Sequence, residues 1–185
     1  METARWIATL LNQLRCRLDD DPFWREQLDR MADADSAMAV HLAVFVEPYL
    51  QLILEGKKSI ESRFSANRCA PYGAVRKRDL VLLKRSGGPV VGICRLGEVW
   101  FYDLDPSTWK TIRGGFGQQL CISDPSFWAS KKGASYASLM RVEHAREIEP
   151  LVASKRDRRG WVVLREHNEQ RELLGTSSLG LSPAT

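Results

Sequence analysis

The sequence predicts an α+β protein: a small, mixed, mostly antiparallel β-barrel with peripheral helices and an N-terminal helical extension. Three observations predict it. Strand-like apolar runs of uneven length recur between residues 41 and 165, without the regular strand–helix alternation of a parallel α/β sheet. Long helical stripes fill the first 40 residues. Glycine and proline fall between the runs, as in "SGGP", and punctuate short connections.

The elements follow in order. "METARWIATLLNQLRCRLDDD" carries Ile7, Leu10, Leu11, Leu14 and Leu18 at helical spacing and ends in acids, which reads as an amphipathic helix and not as a secretory leader. A second helix starts at Asp21 as N-cap with Pro22 in the first position, then carries Phe23, Trp24, Leu28 and Met31. His41 to Val46 reads as a buried strand. Pro48 opens a short helix with Tyr49, Leu50, Ile53 and Leu54, and Gly56 ends it. A strand at 59 to 64 then places Ser59, Glu61 and Arg63 on one face and Ile60 on the other, with Lys58 at its mouth.

After the polar loop "SANRCAPYGAVRKR", "DLVLLKR" is a strand closed by "SGGP". "VVGICRLGEVWFYDL" is one bent strand or two, with Gly92 and Gly97 marking bulges or close approaches. Helical pieces are expected at about 106 to 120 and 124 to 132, the latter capped by Asp124. "YASLMRVEHAREI" and "GWVVLRE" finish as strands. The reading divides the chain into a helical extension at 1–40, a barrel domain at 41–165 and a loose tail at 166–185.

Composition narrows the class. The 44% hydrophobic and 27% charged content is that of a globular chain, and no apolar run reaches the 18 or so residues of a membrane helix. Cys16, Cys69, Cys94 and Cys121 form no CxxC pair, and His41, His144 and His167 add no ligand spacing. The expectation is reduced thiols, a cytoplasmic protein, no metal and no cofactor. Charge is distributed unevenly: residues 1 to 40 carry −3 and residues 166 to 185 carry −2, so the middle carries +9 of a whole-chain +4. A basic centre between acidic flanks points to a polyanionic partner.

"GKKSIESR" at 56–63 matches the pattern Gly-x-Lys-x-x-Glu-x-Arg of the ASCH (activating signal cointegrator homology) domain family. "VEPYLQLILE" before it, "DLVLLKRSGGPVVGICRLGEV" after it and "KRDRRGWVVL" near the end resemble the family's opening strand and helix, central hairpin and closing strand. The resemblance covers roughly residues 41 to 165. It implies a PUA-like β-barrel, a fold shared with RNA-binding and modified-base-reading domains, in which Lys58, Glu61 and Arg63 line a cleft.

A carboxylate between two cations is held in its charged form. Lys58 and Arg63 can donate to phosphate, while Glu61 accepts from an exocyclic amine or hydroxyl. The bland reading is a surface ion pair between Glu61 and Arg63, worth about 0–1 kcal/mol. Around the cleft, the loop offers Ser65, Asn67, Arg68 and Tyr72, with Tyr72 the preferred ring for stacking a base. The turn offers Lys84, Arg85, Ser86 and two glycines, whose amides can cradle an anion. "SKRDRRGW" adds Arg156 and Arg158, and the two basic segments brought together would face phosphates. Trp161 reads as core, and at least one of Trp100, Phe101 and Tyr102 must be exposed because neighbours in a strand alternate.

Three functions follow from these residues. The first is a nucleic-acid binder, for RNA or DNA, or a nucleotide binder. The second is a hydrolase using Lys58 and Glu61 as acid and base. Amidohydrolases of the resembled family carry Thr where this chain has Glu61, so their hydroxyl-dependent route has no counterpart at that position, and Glu98 is the candidate downstream glutamate. The third is an adaptor that meets a protein partner through the N-terminal helices, which requires their apolar stripe to be exposed.

Overall fold

The apolar runs become six strands of one curled sheet in a computed structural model that describes residues 2–32, 36–152 and 159–168, with side chains from Ile7 onward. The strands are β1 (Val40–Phe45), β2 (Ile60–Ser65), β3 (Leu80–Arg85), β4 (Val90–Asp103), β5 (Tyr136–Leu151) and β6 (Trp161–Arg165). Their order is β2-β5-β4-β3-β1-β6. Pairs β2/β5, β5/β4 and β4/β3 are antiparallel, whereas β1 runs parallel to β3 with Val40 opposite Leu80. A parallel pair needs a long crossover, and the helix, strand and loop between Val46 and Asp79 supply it. The result is a PUA-like half-barrel in an α+β chain.

The helices are α1 (Glu2–Arg17), α2 (Pro22–Ala32), α3 (Tyr49–Leu54), α4 (Pro106–Leu120) and α5 (Ser126–Ser130). Residues Val40–Val163 form one unit, and the described residues up to Ala39 together with those from Leu164 form another. In the latter, Leu10, Leu14, Leu18, Trp24, Leu28 and Met31 are all buried. Asp21 Oδ1 accepts from the amides of Phe23 and Trp24 at 3.0 and 3.3 Å, the N-cap the sequence indicated. Arg165 ties the returning chain to this unit by donating to the Met31 and Ser36 carbonyls at 2.6 and 2.9 Å.

The barrel unit has an apolar cluster on each side of β5, since successive side chains of a strand alternate. Met140 joins Ala43, Phe45, Leu50, Ile53, Leu83, Cys94, Leu96 and Trp161 within the curl. Leu139 and Ala137 join Ile60, Ile112 and Leu120 on the other side. β4 is a single bent strand, with shifts of register between Val90 and Gly92, Ile93 and Arg95, and Leu96 and Val99. Its glycines mark close approaches: a Cβ on Gly92 would lie 2.7 Å from Leu54 Cδ2, and one on Gly97 would lie 2.5 Å from Glu143 Oε1.

α4 opens with a reciprocal cap in which Asp105 and Thr108 bond each other's amides. Asp124 accepts from the Ser126 amide at 2.8 Å at the start of α5, while Pro125 holds the cap position itself. Among the described residues no helix is long and apolar enough to cross a membrane, and no three His, Cys, Asp or Glu side chains gather as metal ligands would. The tail expected at 166–185 lies outside the described residues from residue 169 on.

Candidate nucleotide pocket

The motif strand builds one wall of a pocket of about 270 Å³, lined by Val44, Phe45 and Val46, by Tyr49, by Lys58 and Glu61 to Phe64, and by Ile122, Phe127 and Lys131. α3 delivers Tyr49, and the left-handed Gly56 (φ +70°) turns the chain so that Lys58 enters β2 pointing inward. Alternation along β2 then puts Glu61 and Arg63 on the same face.

The floor is a buried cluster. Lys58 is 3% exposed and Glu61 7%. Lys58 Nζ donates to the Ile60 and Leu120 carbonyls at 2.6 and 3.0 Å, and lies 3.5 Å from Glu61 Oε2. Burial pulls the Lys58 ammonium below the usual lysine range, against the opposing attraction of Glu61. Arg63 Nε approaches Glu61 Oε1 to 2.8 Å, near enough for an ion pair although its N–H does not point along the hydrogen-bond line. This burial sets the cluster apart from an exposed ion pair, because removing one member strands a desolvated charge.

Arg63 has a second task. β2 and β6 are the two edges of the sheet, and the guanidinium reaches across that seam. It donates to the Val44 carbonyl at 2.9 Å and the Gly160 carbonyl at 3.4 Å. Its carbon sits 4.8 Å from the Phe45 ring centre and 5.4 Å from that of Trp161. The planar fork of arginine suits this bridging role, with each terminal nitrogen directed at a different backbone carbonyl.

The walls are aromatic. Phe127 packs edge-on to both Tyr49 and Phe64, with ring centres 6.2 and 6.0 Å apart. Phe64 in turn stacks on Trp109 at 5.2 Å with planes 9° apart, and Trp128 closes the cluster. The Tyr49 hydroxyl is held protonated by burial first and by the charges of Asp124 and Glu61 second.

The other residues singled out from the sequence lie elsewhere. Ser65 ends β2 opposite Tyr136 and donates to the Asn67 carbonyl at 2.7 Å. Tyr72 donates to Asp103 Oδ1 at 2.6 Å, and its ring meets Phe101 and Tyr136 at 5.2 and 5.1 Å. Arg68 pairs with the same Asp103 at 3.2 Å and lies over the Tyr136 ring. These three form a surface cluster outside the pocket lining. Lys84 donates to the Gly88 carbonyl, and the Ser86 amide donates to the Phe45 carbonyl at 2.8 Å. The Gly88 amide bonds Arg85, so two amides of the "SGG" turn already have partners inside the fold. Glu98 is exposed and pairs with Arg141 at 3.4 Å, outside the lining. Arg156 and Arg158 fall outside the described residues.

The sequence reading missed Phe127, Ile122 and Lys131, which no motif marks. The one local signal is the capped "SDPSFW" turn, which predicts where α5 begins but not what its side chains meet. Cys121, in the left-handed region at φ 53°, reverses the chain after α4 and brings Ile122 to the pocket.

No protein-family model matches the sequence, and no curated protein does. Solved structures do resemble it. The ASCH protein of Zymomonas mobilis superposes with a TM-score of 0.55 at 16% identity, over 74% of this chain and 94% of that one. A serine-to-alanine variant of the same protein superposes at 0.56 and 14% identity, over 76% of this chain and 97% of the other. At such identities the likeness shows the fold, which is that of an ASCH domain.

Proposed function

We propose that this chain, an ASCH-type fold, binds single-stranded nucleic acid by taking one unpaired nucleotide into the pocket over Lys58 and Glu61. One observation carries the reading: Glu61 is a buried carboxylate at the floor of an aromatic-walled cavity of about 270 Å³. A carboxylate has about four acceptor positions, and Lys58 and Arg63 approach one oxygen each. The remaining positions suit an exocyclic amine, which adenine, cytosine and guanine carry and uracil lacks. Tyr49, Phe64 and Phe127 supply faces and edges for an unstacked base. The basic middle of the chain, +9 over residues 41 to 165, provides a sequence-independent attraction.

The test is fluorescence anisotropy with labelled adenine-, cytosine- and uracil-only single strands at low and physiological salt, each probe checked afterwards for cleavage. The expected order is adenine or cytosine above uracil. Glu61→Gln narrows that gap, because an amide can donate to the uracil carbonyl as well as accept. Equal affinity for all three strands, unmoved by Glu61→Gln, rejects the pocket as the reader.

A hydrolytic reading has one specific observation in its favour. Lys58, lowered by burial, keeps two N–H groups for its two carbonyls even as a neutral amine, leaving a lone pair for a proton. Cleavage of a probe, lost in Lys58→Met and rising with pH, would establish it. The adaptor reading needs an exposed helical stripe: Leu10, Leu14, Leu18, Trp24, Leu28 and Met31 are buried, while Ile7, Leu11 and Phe23 are half-buried.

A further inference from the structure

The charges at the pocket are not equivalent. Lys58 and Arg63 are engaged by Glu61 and by four backbone carbonyls, those of Ile60, Leu120, Val44 and Gly160. Neither can turn toward a ligand without abandoning an acceptor inside the protein, which makes them supports for Glu61 and for the barrel seam. Lys131 differs. It sits just past α5, at the C-cap position, lines the pocket and is half-buried along its stem. Among the described residues no carboxylate or carbonyl reaches its ammonium, which lies 5.3 Å from the centre of the Phe127 ring.

A lysine held over an aromatic ring keeps a defined direction without using any of its three donors. The ring beneath it is the same Phe127 that walls the pocket against Tyr49 and Phe64. Acidic groups nearby do not compete. Asp124 takes its hydrogen bonds from the amide and hydroxyl of Ser126, and Glu61 lies at the floor between Lys58 and Arg63. The lining therefore carries three cations against one carboxylate, and its one uncommitted cation is Lys131.

We infer that Lys131 is the phosphate anchor of the pocket, so that the preferred occupant is a nucleotide whose base meets Glu61 while its phosphate meets Lys131. This rests on the proposed nucleotide pocket and adds the recognition of a phosphorylated over an unphosphorylated nucleoside. It also assigns the anion-binding role to a residue far from the "GKKSIESR" motif.

The experiment is calorimetric titration of the full chain with adenosine, cytidine and their 5′- and 3′-monophosphates, repeated on Lys131→Gln, Lys131→Arg and Glu61→Gln. The monophosphate of at least one series is expected to bind about tenfold tighter than its nucleoside, the size of one exposed charge-assisted contact. Lys131→Gln erases that advantage, while Lys131→Arg keeps it. The choice between the 5′ and 3′ series reports which way the ribose faces. If the nucleoside binds and Glu61→Gln weakens it, but phosphate adds nothing or its advantage survives Lys131→Gln, the anchor is overturned and the pocket stands. If neither nucleosides nor monophosphates bind the wild type, both readings fall.

Discussion

At the scale of single residues, the floor separates two roles that the motif spelling runs together. Arg63 is a strut: it spans two sheet edges, pairs with a buried carboxylate and packs on two rings. Arg63→Ala should destabilise the barrel by about 2–4 kcal/mol in urea unfolding, because it orphans Glu61 and two carbonyls. Arg63→Lys should recover less than half, since one ammonium cannot reproduce the fork. Lys58 gives a signature in pH. Its folded value lies below the free-lysine 10.5, so the native state holds fewer protons than the unfolded chain as pH climbs toward that value. The penalty for burying the charge is complete at low pH and is relieved as pH rises. Wild-type stability should therefore rise relative to Lys58→Met when urea midpoints are followed upward from neutral pH. Parallel curves would show that burial does not lower this ammonium.

At the scale of elements, the glycines of β4 and α4 make opposite predictions. Gly92 faces Leu54 of α3, and an added methyl meets both that side chain and the Arg146 carbonyl, 3.1 Å away. Gly92→Ala should cost about 1–3 kcal/mol by wedging α3 from the sheet. Gly114 and Gly115 lie inside α4 with nothing near their missing Cβ atoms. Gly114→Ala and Gly115→Ala should each add about 0.5–1 kcal/mol, the ordinary gain of alanine over glycine in an open helix position. Thermal melts of the three variants check both signs at once. The comparison is informative for the site, because α4 ends at the Leu120 carbonyl that accepts from Lys58.

At the scale of the whole molecule, burial should order the thiols. Cys16 and Cys69 are exposed, Cys121 is half-buried with its thiol donating to the Lys57 carbonyl at 3.3 Å, and Cys94 is buried in the core. Burial pushes the Cys94 thiol far up, first by desolvation and then by the charge of Glu61. A thiol reagent under native conditions should label Cys16 and Cys69 fastest and Cys121 more slowly. Cys94 should react only when the barrel unfolds globally, which makes it a probe of the stability of Val40–Val163.

The elements are legible in the sequence, and so is the strand face that the motif side chains share. Period-two and period-three-and-four patterns placed the strands and helices to within a few residues. The spacing of Lys58, Glu61 and Arg63 put two of them on one strand face with the third at its entrance. These are local properties, written by side chains a few positions apart. What the motif faces is set by contacts between distant parts of the chain. The Leu120 carbonyl that holds Lys58 and the Gly160 carbonyl that holds Arg63 are 62 and 97 positions from the residues they hold, and Phe127 and Lys131 at the pocket wall stand 64 and 68 positions past Arg63. Pocket membership at such separations depends on how the sheet curls and where the loops return, and no local pattern of residues encodes that. The same distance explains why Tyr72, an aromatic in a basic loop, lies with Asp103 and Tyr136 instead of against Glu61.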